Sequence, residues 1–290
     1  MSSGSHSSGP PLDTMPPLEL VEVINDSNRG IAEVVAAESP KIAQAVEAIA
    51  DRMRHGGRLF YAGAGTSGRI ALLDASELNP TFGIDDELVQ VILAGGQKAF
   101  VRAVEGAEDR EEEAIAEVTR LVRAEDSLVG IAASGTTPFT VAAVRRANML
   151  GCLTIGITSA AGSPLSRECD IPIVVDTGPE VIEGSTRMKS GTAQKMVLNT
   201  ISTAVMILLG KVHDNLMIEM PPTNAKLRER AIMMVSRVAT VDRAVAARAL
   251  ADCDWNVKTA IVAASKGVAP DAARRLLESG GGNLREVLER

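Results

Sequence analysis

The sequence predicts an α/β protein: a three-layer αβα sandwich around a central parallel sheet, followed by a small helical domain at the C-terminus. Three observations carry this reading. Short apolar runs alternate with helix-length amphipathic segments through the middle of the chain, the pattern of strands covered by helices on both faces. Two of the apolar runs lead straight into glycine- and hydroxyl-rich turns, in Phe60 to Arg69 (FYAGAGTSGR) and in Ser127 to Pro138 (SLVGIAASGTTP). After Asn224 the character changes to short charged helical segments that continue to Arg290.

Taken in order, Met1 to about Pro11 is rich in Ser, Gly and Pro and reads as a disordered arm or cloning remnant, with residues 1–14 assigned to it. Residues 15–239 are assigned to the α/β domain and 240–290 to the helical one. Helical patterns cover Leu18 to Ala37 and Pro40 to Met53. Then come strand Arg58–Ala62, helix Ser67–Glu77, strand Val89–Ala94, helix Arg110–Arg123, strand Leu128–Ala132, helix Pro138–Leu150 and strands Leu153–Ile157 and Ile171–Val175. Pro80 marks the expected stop of the Ser67 helix. Ser190 to Met217 is apolar nearly all round. Such a helix is buried within one chain or against a second subunit, and periodicity does not choose between these. Asn256 and Asn283 each precede a helical run, which fits N-capping as well as an internal repeat.

Composition excludes several function classes. The 290-residue chain is 46% hydrophobic, enough for one sizeable α/β core plus an appendage. A net charge of −7 and a pI near 5.2 argue against a nucleic-acid surface. Aromatic residues are only 2%, so base stacking is not a plausible binding mode. No apolar stretch is long and uncharged enough to span a membrane, and no signal pattern is visible. Cys152, Cys169 and Cys253 are an odd number at scattered positions, which suits a reducing cytoplasm. His6, His55 and His213 are isolated, so no metal centre is expected.

The chemistry-bearing residues gather in a few loops. Gly65, Thr66 and Ser67 sit where a strand turns into a helix, so backbone N–H groups and hydroxyls converge at a helix N-terminus that favours an anion. Tight packing alone is the competing explanation for such a turn. Ser134, Gly135, Thr136 and Thr137 repeat the arrangement before Pro138, where a simple N-cap is the alternative. There is no Walker lysine and no ribose-reading acid in the expected place, so a sugar phosphate fits better than a nucleotide. A third anion-friendly element is Ser185, Arg187 and Lys189 ahead of the apolar helix. Glu77, Glu105 and Glu108 are the candidate carboxylates, since two in different environments can divide acid and base roles.

Long motifs in this order, FYAGAGTSGRIALLDASELNPTFG, AVEGAED, GIAASGTTP, GSTRMKSGTAQKMVLN and TNAKLRERA, resemble the N-acetylmuramic acid 6-phosphate etherases, which have the SIS (sugar isomerase) fold. The likeness runs from about Leu18 to the C-terminus and includes the small tail, which it implies is UBA-like. It implies removal of D-lactate from the C3 ether of the muramic acid phosphate, with no cofactor, by a homodimer whose site lies at the subunit interface. On the motifs, Glu108 would abstract the C2 proton and Glu77 would assist departure of lactate. Thr66, Ser67, Ser134, Thr136 and Thr137 would hold phosphate; on charge alone, Arg187 or Lys189 would face the lactyl carboxylate. Three departures bear on substrate identity: Thr136 where the family usually has Arg, Glu183 where Thr is common, and Leu78-Asn79 where Cys-Pro is common. Two other readings remain, an SIS aldose–ketose isomerase and a noncatalytic sugar-phosphate sensor resembling the glucokinase regulatory protein.

Overall fold

The computed structural model describes residues 11–289. The arm expected over 1–14 lies mostly outside the described residues, but Leu12–Thr14 form a 3-10 turn. The helices are α1 Pro17–Asn28, α2 Ile31–Ala37, α3 Ser39–Arg54, α4 Gly65–Phe82, α5 Lys98–Val101, α6 Glu111–Leu121, α7 Pro138–Met149, α8 Pro164–Glu168, α9 Lys189–Leu208, α10 Ala225–Ala239, α11 Arg243–Asp252, α12 Val257–Lys266, α13 Pro270–Ser279 and α14 Leu284–Glu289. The strands are β1 Leu59–Gly63, β2 Val89–Leu93, β3 Ser127–Ile131, β4 Leu153–Thr158 and β5 Ile171–Val174.

All five strands are parallel, in the order β2-β1-β3-β4-β5. Every residue from Leu59 to Ala62 is buried, as expected for a strand covered on both faces. Phe60, Ala62 and Leu128 pack with Ala114 and Val118 of α6 and with Phe139, Ala143 and Val144 of α7. Tyr61 points to the opposite face, where its hydroxyl donates to Asp74 of α4 (2.9 Å). The other oxygen of Asp74 accepts from Asn199 Nδ2 of α9 (2.5 Å), so this carboxylate is buried yet hydrogen-bonded on both sides. At the amino end of the sheet, fully buried Asp126 accepts from the Arg58 backbone N–H and guanidinium and from the Arg123 N–H. That ties the start of β1 to the start of β3, and Arg58 also stacks over Phe60 (4.9 Å).

Several boundaries differ from the sequence expectation, each for a local reason. The helix expected over Leu18–Ala37 breaks into α1 and α2 because Gly30 adopts φ +84°. The Ser67 helix does not stop before Pro80. It continues to Phe82, its last turn rebuilt by the Thr81 hydroxyl on the Glu77 carbonyl (2.8 Å) and the Gly83 N–H on the Asn79 carbonyl (2.8 Å). The apolar helix expected to reach Met217 ends at Leu208, where Gly210 turns left-handed and the Lys211 N–H closes onto the Met206 carbonyl. It is also not buried all round. Val197, Leu198, Ile201, Val205 and Met206 are buried, while Thr192, Lys195, Thr200, Thr203 and Ile207 are exposed. Asn256 caps α12 through the Thr259 N–H (2.8 Å), and Asn283 accepts from the Arg285 N–H (3.0 Å), so both asparagines act as caps.

Contacts gather the chain into two compact units, one through Asp74 with Val89–Ile201, the other Ala75–Leu88 with Ser202 onward. The expected division between 239 and 240 falls inside the second unit. Ile218, Met220, Met234 and Val235 share one core with Ala246, Ile261, Ala273 and Leu284, so α10 packs with the terminal helices. Within this unit Glu219 bridges two ammonium groups, Lys211 (2.8 Å) and the buried Lys258 (2.6 Å). Burial alone would raise the pKa of Glu219, but the hydrogen bonds from Lys211 and Lys258 outweigh it and hold the carboxyl below its ordinary value.

Because the folded-state pKa is depressed, this contribution to stability is complete above the unfolded Glu value of about 4.3 and is lost as pH falls through the lower folded value. Glu219→Gln removes the charge that neutralises the buried Lys258, which keeps the Gly210 carbonyl as an acceptor, and is expected to cost about 1.5–3 kcal/mol in urea melts at pH 7. Below pH 4 the difference from the parent protein should narrow.

Candidate functional site

The strand order places a topological switch point between β1 and β3. The chain leaves β1 toward β2 on one side and leaves β3 toward β4 on the other. Ligands in open parallel sheets bind beyond the carboxyl ends of the strands at such a point. Gly63 is in register with Ile131, so the two hydroxyl loops leave neighbouring strand ends.

The first loop is compressed. Gly65, at φ +53°, starts α4 with only Ala64 between it and the end of β1. A Cβ on Gly68 would lie 2.3 Å from Leu93 Cδ1 and 2.8 Å from the Gly63 carbonyl oxygen, so only glycine lets the first turn of α4 approach the sheet this closely. Thr66 and Ser67 are half-buried there. The Ser67 hydroxyl donates to Oε1 of Gln194 on α9 (2.9 Å), and Gln194 is buried with its Nε2 lacking a hydrogen-bond partner.

The second loop is braced from below. The Gly135 carbonyl accepts from the Leu165 N–H (2.9 Å), and Gly135 has φ +65° with Ser163 Oγ only 2.1 Å from where a Cβ would stand. Ser134 and Thr136 are exposed and Thr137 is half-buried. The Ser134 hydroxyl accepts from the Thr136 N–H (3.2 Å) and hydroxyl (2.9 Å). Thr137 is the N-cap residue of α7 but makes no side-chain capping bond, so the simple N-cap explanation does not account for it.

The third anion-friendly element is already filled by the protein. Buried Glu180 accepts from the backbone N–H groups of Lys189 and Ser190 (3.0 Å each), capping α9 with the chain's own carboxylate. Lys189 donates its ammonium to the Pro179 carbonyl (3.1 Å), Ser185 is half-buried and Arg187 is exposed. Geometry therefore gives Lys189 a structural partner rather than a ligand.

Glu108 lies on the 3-10 turn Ala107–Asp109 and lines a cavity of about 210 Å³ with Gly65, Arg69, Glu105 and Gly106. Glu77 is exposed on α4 in the second unit and is not among the residues lining this cavity. The structure thus joins Gly65 and Glu108 in one cavity, places the two hydroxyl loops at the carboxyl ends of the adjacent strands β1 and β3, and keeps Ser185, Arg187 and Lys189 in a separate turn. Arg69, Glu180 and Gln194 were not singled out from sequence. Arg69 carried a signal, since it lies in the glycine motif four residues after Gly65 and so on the same helical face. The thiols offer no nucleophile: burial pushes Cys152 up to about 12 and Cys169 to about 11.

A doubly covered parallel sheet with hydroxyl loops at its switch point is the SIS class of α/β protein. The SIS domain model matches residues 102–204, and that of the glucokinase regulatory protein N-terminal SIS domain matches 41–148. A phosphoheptose isomerase from Francisella tularensis shares the fold (TM-score 0.52, 24% identity, 66% of this chain and 98% of that one). More specifically, the chain is 52% identical over 257 residues to an N-acetylmuramic acid 6-phosphate etherase of Symbiobacterium thermophilum, covering 89% of this chain and 86% of the relative. The corresponding protein of Deinococcus radiodurans is 44% identical over 278 residues, 96% of this chain and 91% of the relative. The chain belongs to the N-acetylmuramic acid 6-phosphate etherase family.

If Glu180 is a helix cap, Glu180→Ala should lower stability by about 0.5–2 kcal/mol in thermal or urea melts. An unchanged melting midpoint contradicts the capping role.

Proposed function

We propose that this protein opens the C3 ether of N-acetylmuramic acid 6-phosphate, releasing D-lactate and N-acetylglucosamine 6-phosphate. The observation that supports this most directly is 52% identity to an etherase across 89% of the chain, joined by the place of Glu108 in a polar cavity beside the β1 turn. The phosphate docks against the Gly65–Ser67 and Ser134–Thr137 loops, whose hydroxyls and helix N-termini suit an anion.

An alkoxide is a poor leaving group, so the chemistry runs through the open-chain aldehyde, whose carbonyl acidifies the C2 proton. Glu108 takes that proton, and the electron pair is held as an enolate. Collapse of the enolate forms the C2–C3 double bond and breaks the C3–O bond, and Glu77, assigned by its motif, protonates the departing lactate oxygen. Water then adds at C3 and a proton returns to C2, which restores the saturated sugar. The protein acts as a cytoplasmic homodimer in this reading, supported by the family resemblance. No helix among the described residues is long and apolar enough to cross a membrane. Sedimentation at the mass of one chain at working concentration contradicts the dimer.

Glu108→Gln should abolish both lactate release and exchange of the C2 hydrogen with deuterated water. Glu77→Gln should stop release while leaving exchange measurable, because loss of the acid does not prevent enolate formation. Each loss is expected to be about 10²–10⁴-fold. Near-normal lactate release by both variants overturns the mechanism, and loss of exchange in the Glu77 variant alone reverses the roles. Replacing both Ser134 and Thr137 by Ala should raise KM about tenfold or more per lost bond to the dianion while the melting temperature holds.

A further inference from the structure

The substrate class carries two anions, a phosphate and the lactyl carboxylate, and the two hydroxyl loops account for only one. Glu105 and Glu108 line the cavity with small and apolar residues and one cation, Arg69, and a second anion entering beside two carboxylates needs a fixed cation. Lys189 is turned to the Pro179 carbonyl. Arg69 lines the cavity with Glu108. Its Nε donates to the carbonyls of Ala99 (3.0 Å) and Phe100 (3.1 Å), which fixes the guanidinium plane from its inner edge. Among the described residues no ion pair joins Arg69 to a carboxylate, although both glutamates line the cavity. A half-buried guanidinium, anchored through Nε, without a carboxylate partner and next to the expected base is the arrangement that receives a planar anion through its two terminal nitrogens.

We propose that Arg69 binds the carboxylate of the lactyl group and so selects the ether substrate over sugar phosphates that lack it. The inference rests on the reading that the Glu108 cavity is the reaction site. With the carboxylate held on Arg69, the C3 ether oxygen is drawn over the cavity and the C2 proton is presented to Glu108. The product N-acetylglucosamine 6-phosphate has no carboxylate, so it leaves Arg69 unoccupied and dissociates without that interaction.

The test measures binding without turnover. In the Glu108→Gln background, dissociation constants of N-acetylmuramic acid 6-phosphate and of N-acetylglucosamine 6-phosphate are measured by calorimetry, with and without Arg69→Met or Arg69→Lys. Arg69→Met should weaken the muramic acid phosphate about tenfold or more, as for a lost bond between charged groups, and change the product by less than about twofold. Arg69→Lys should recover part of the loss, since charge returns without the planar fork. Equal weakening of both ligands shows that Arg69 is only a brace for α5, and unchanged binding of both shows that the carboxylate lies elsewhere; either overturns the inference. Should Glu108→Gln itself keep releasing lactate, the cavity is not the reaction site, and the failure belongs to the functional reading instead. A melting temperature for each variant and the Arg69→Lys protein keep the comparison decisive if Arg69→Met is poorly folded.

Discussion

The near-contact of two glycines sets the geometry on which the site depends. Gly63 ends β1 and Gly68 lies in the first turn of α4, and a methyl group on Gly68 would press into Gly63 and Leu93. Without side chains between them, the helix begins directly against the sheet edge. Its first-turn N–H groups and the Thr66 and Ser67 hydroxyls arrive at the carboxyl end of β1, beside β3, while the Arg69 guanidinium turns to the Ala99 and Phe100 carbonyls beyond β2. The helix is then held in rotation by Asp74, whose two oxygens take hydrogen bonds from Tyr61 on the sheet and Asn199 on α9. A buried carboxylate bonded from two elements resists rotation better than apolar packing, because its hydrogen bonds are directional and costly to break in the interior.

The same logic of satisfied buried charge recurs away from the site. Asp126 gathers N–H groups of Arg58 and Arg123 at the amino end of the sheet. Glu219 gathers Lys211 and Lys258 in the second unit, and Glu180 fills the start of α9. Each carboxylate that is deeply buried is spoken for by the fold. The candidate glutamates Glu77, Glu105 and Glu108 are exposed, and of these Glu105 and Glu108 line a cavity.

Much of this was legible in the sequence, because it rests on local rules. The five strands follow from short apolar runs, and the loops of the site follow from glycine and hydroxyl residues at strand ends. What stayed hidden depends on distant partners. Pro80 reads as a helix stop until Thr81 and Gly83 are seen to rebuild the turn around it. Lys189 reads as an anion binder until the Pro179 carbonyl takes its ammonium. Arg69 reads as an ordinary helix residue, since the Ala99 and Phe100 carbonyls that aim it lie thirty residues away and form no motif with it. The division of the chain was hidden for a similar reason: α10 looks continuous with the α/β domain in sequence but shares its core with the terminal helices.

The proposed function requires a sugar phosphate to bind beyond the carboxyl ends of β1 and β3 with its C2 carbon at Glu108. A crystal structure of the protein with N-acetylglucosamine 6-phosphate tests it most directly. The phosphate oxygens are expected within hydrogen-bond distance of Thr66, Ser67 and the 134–137 loop, and C2 within reach of the Glu108 carboxylate. A phosphate bound at the turn of Ser185 to Lys189, or a sugar ring turned so that C2 faces away from Glu108, contradicts it.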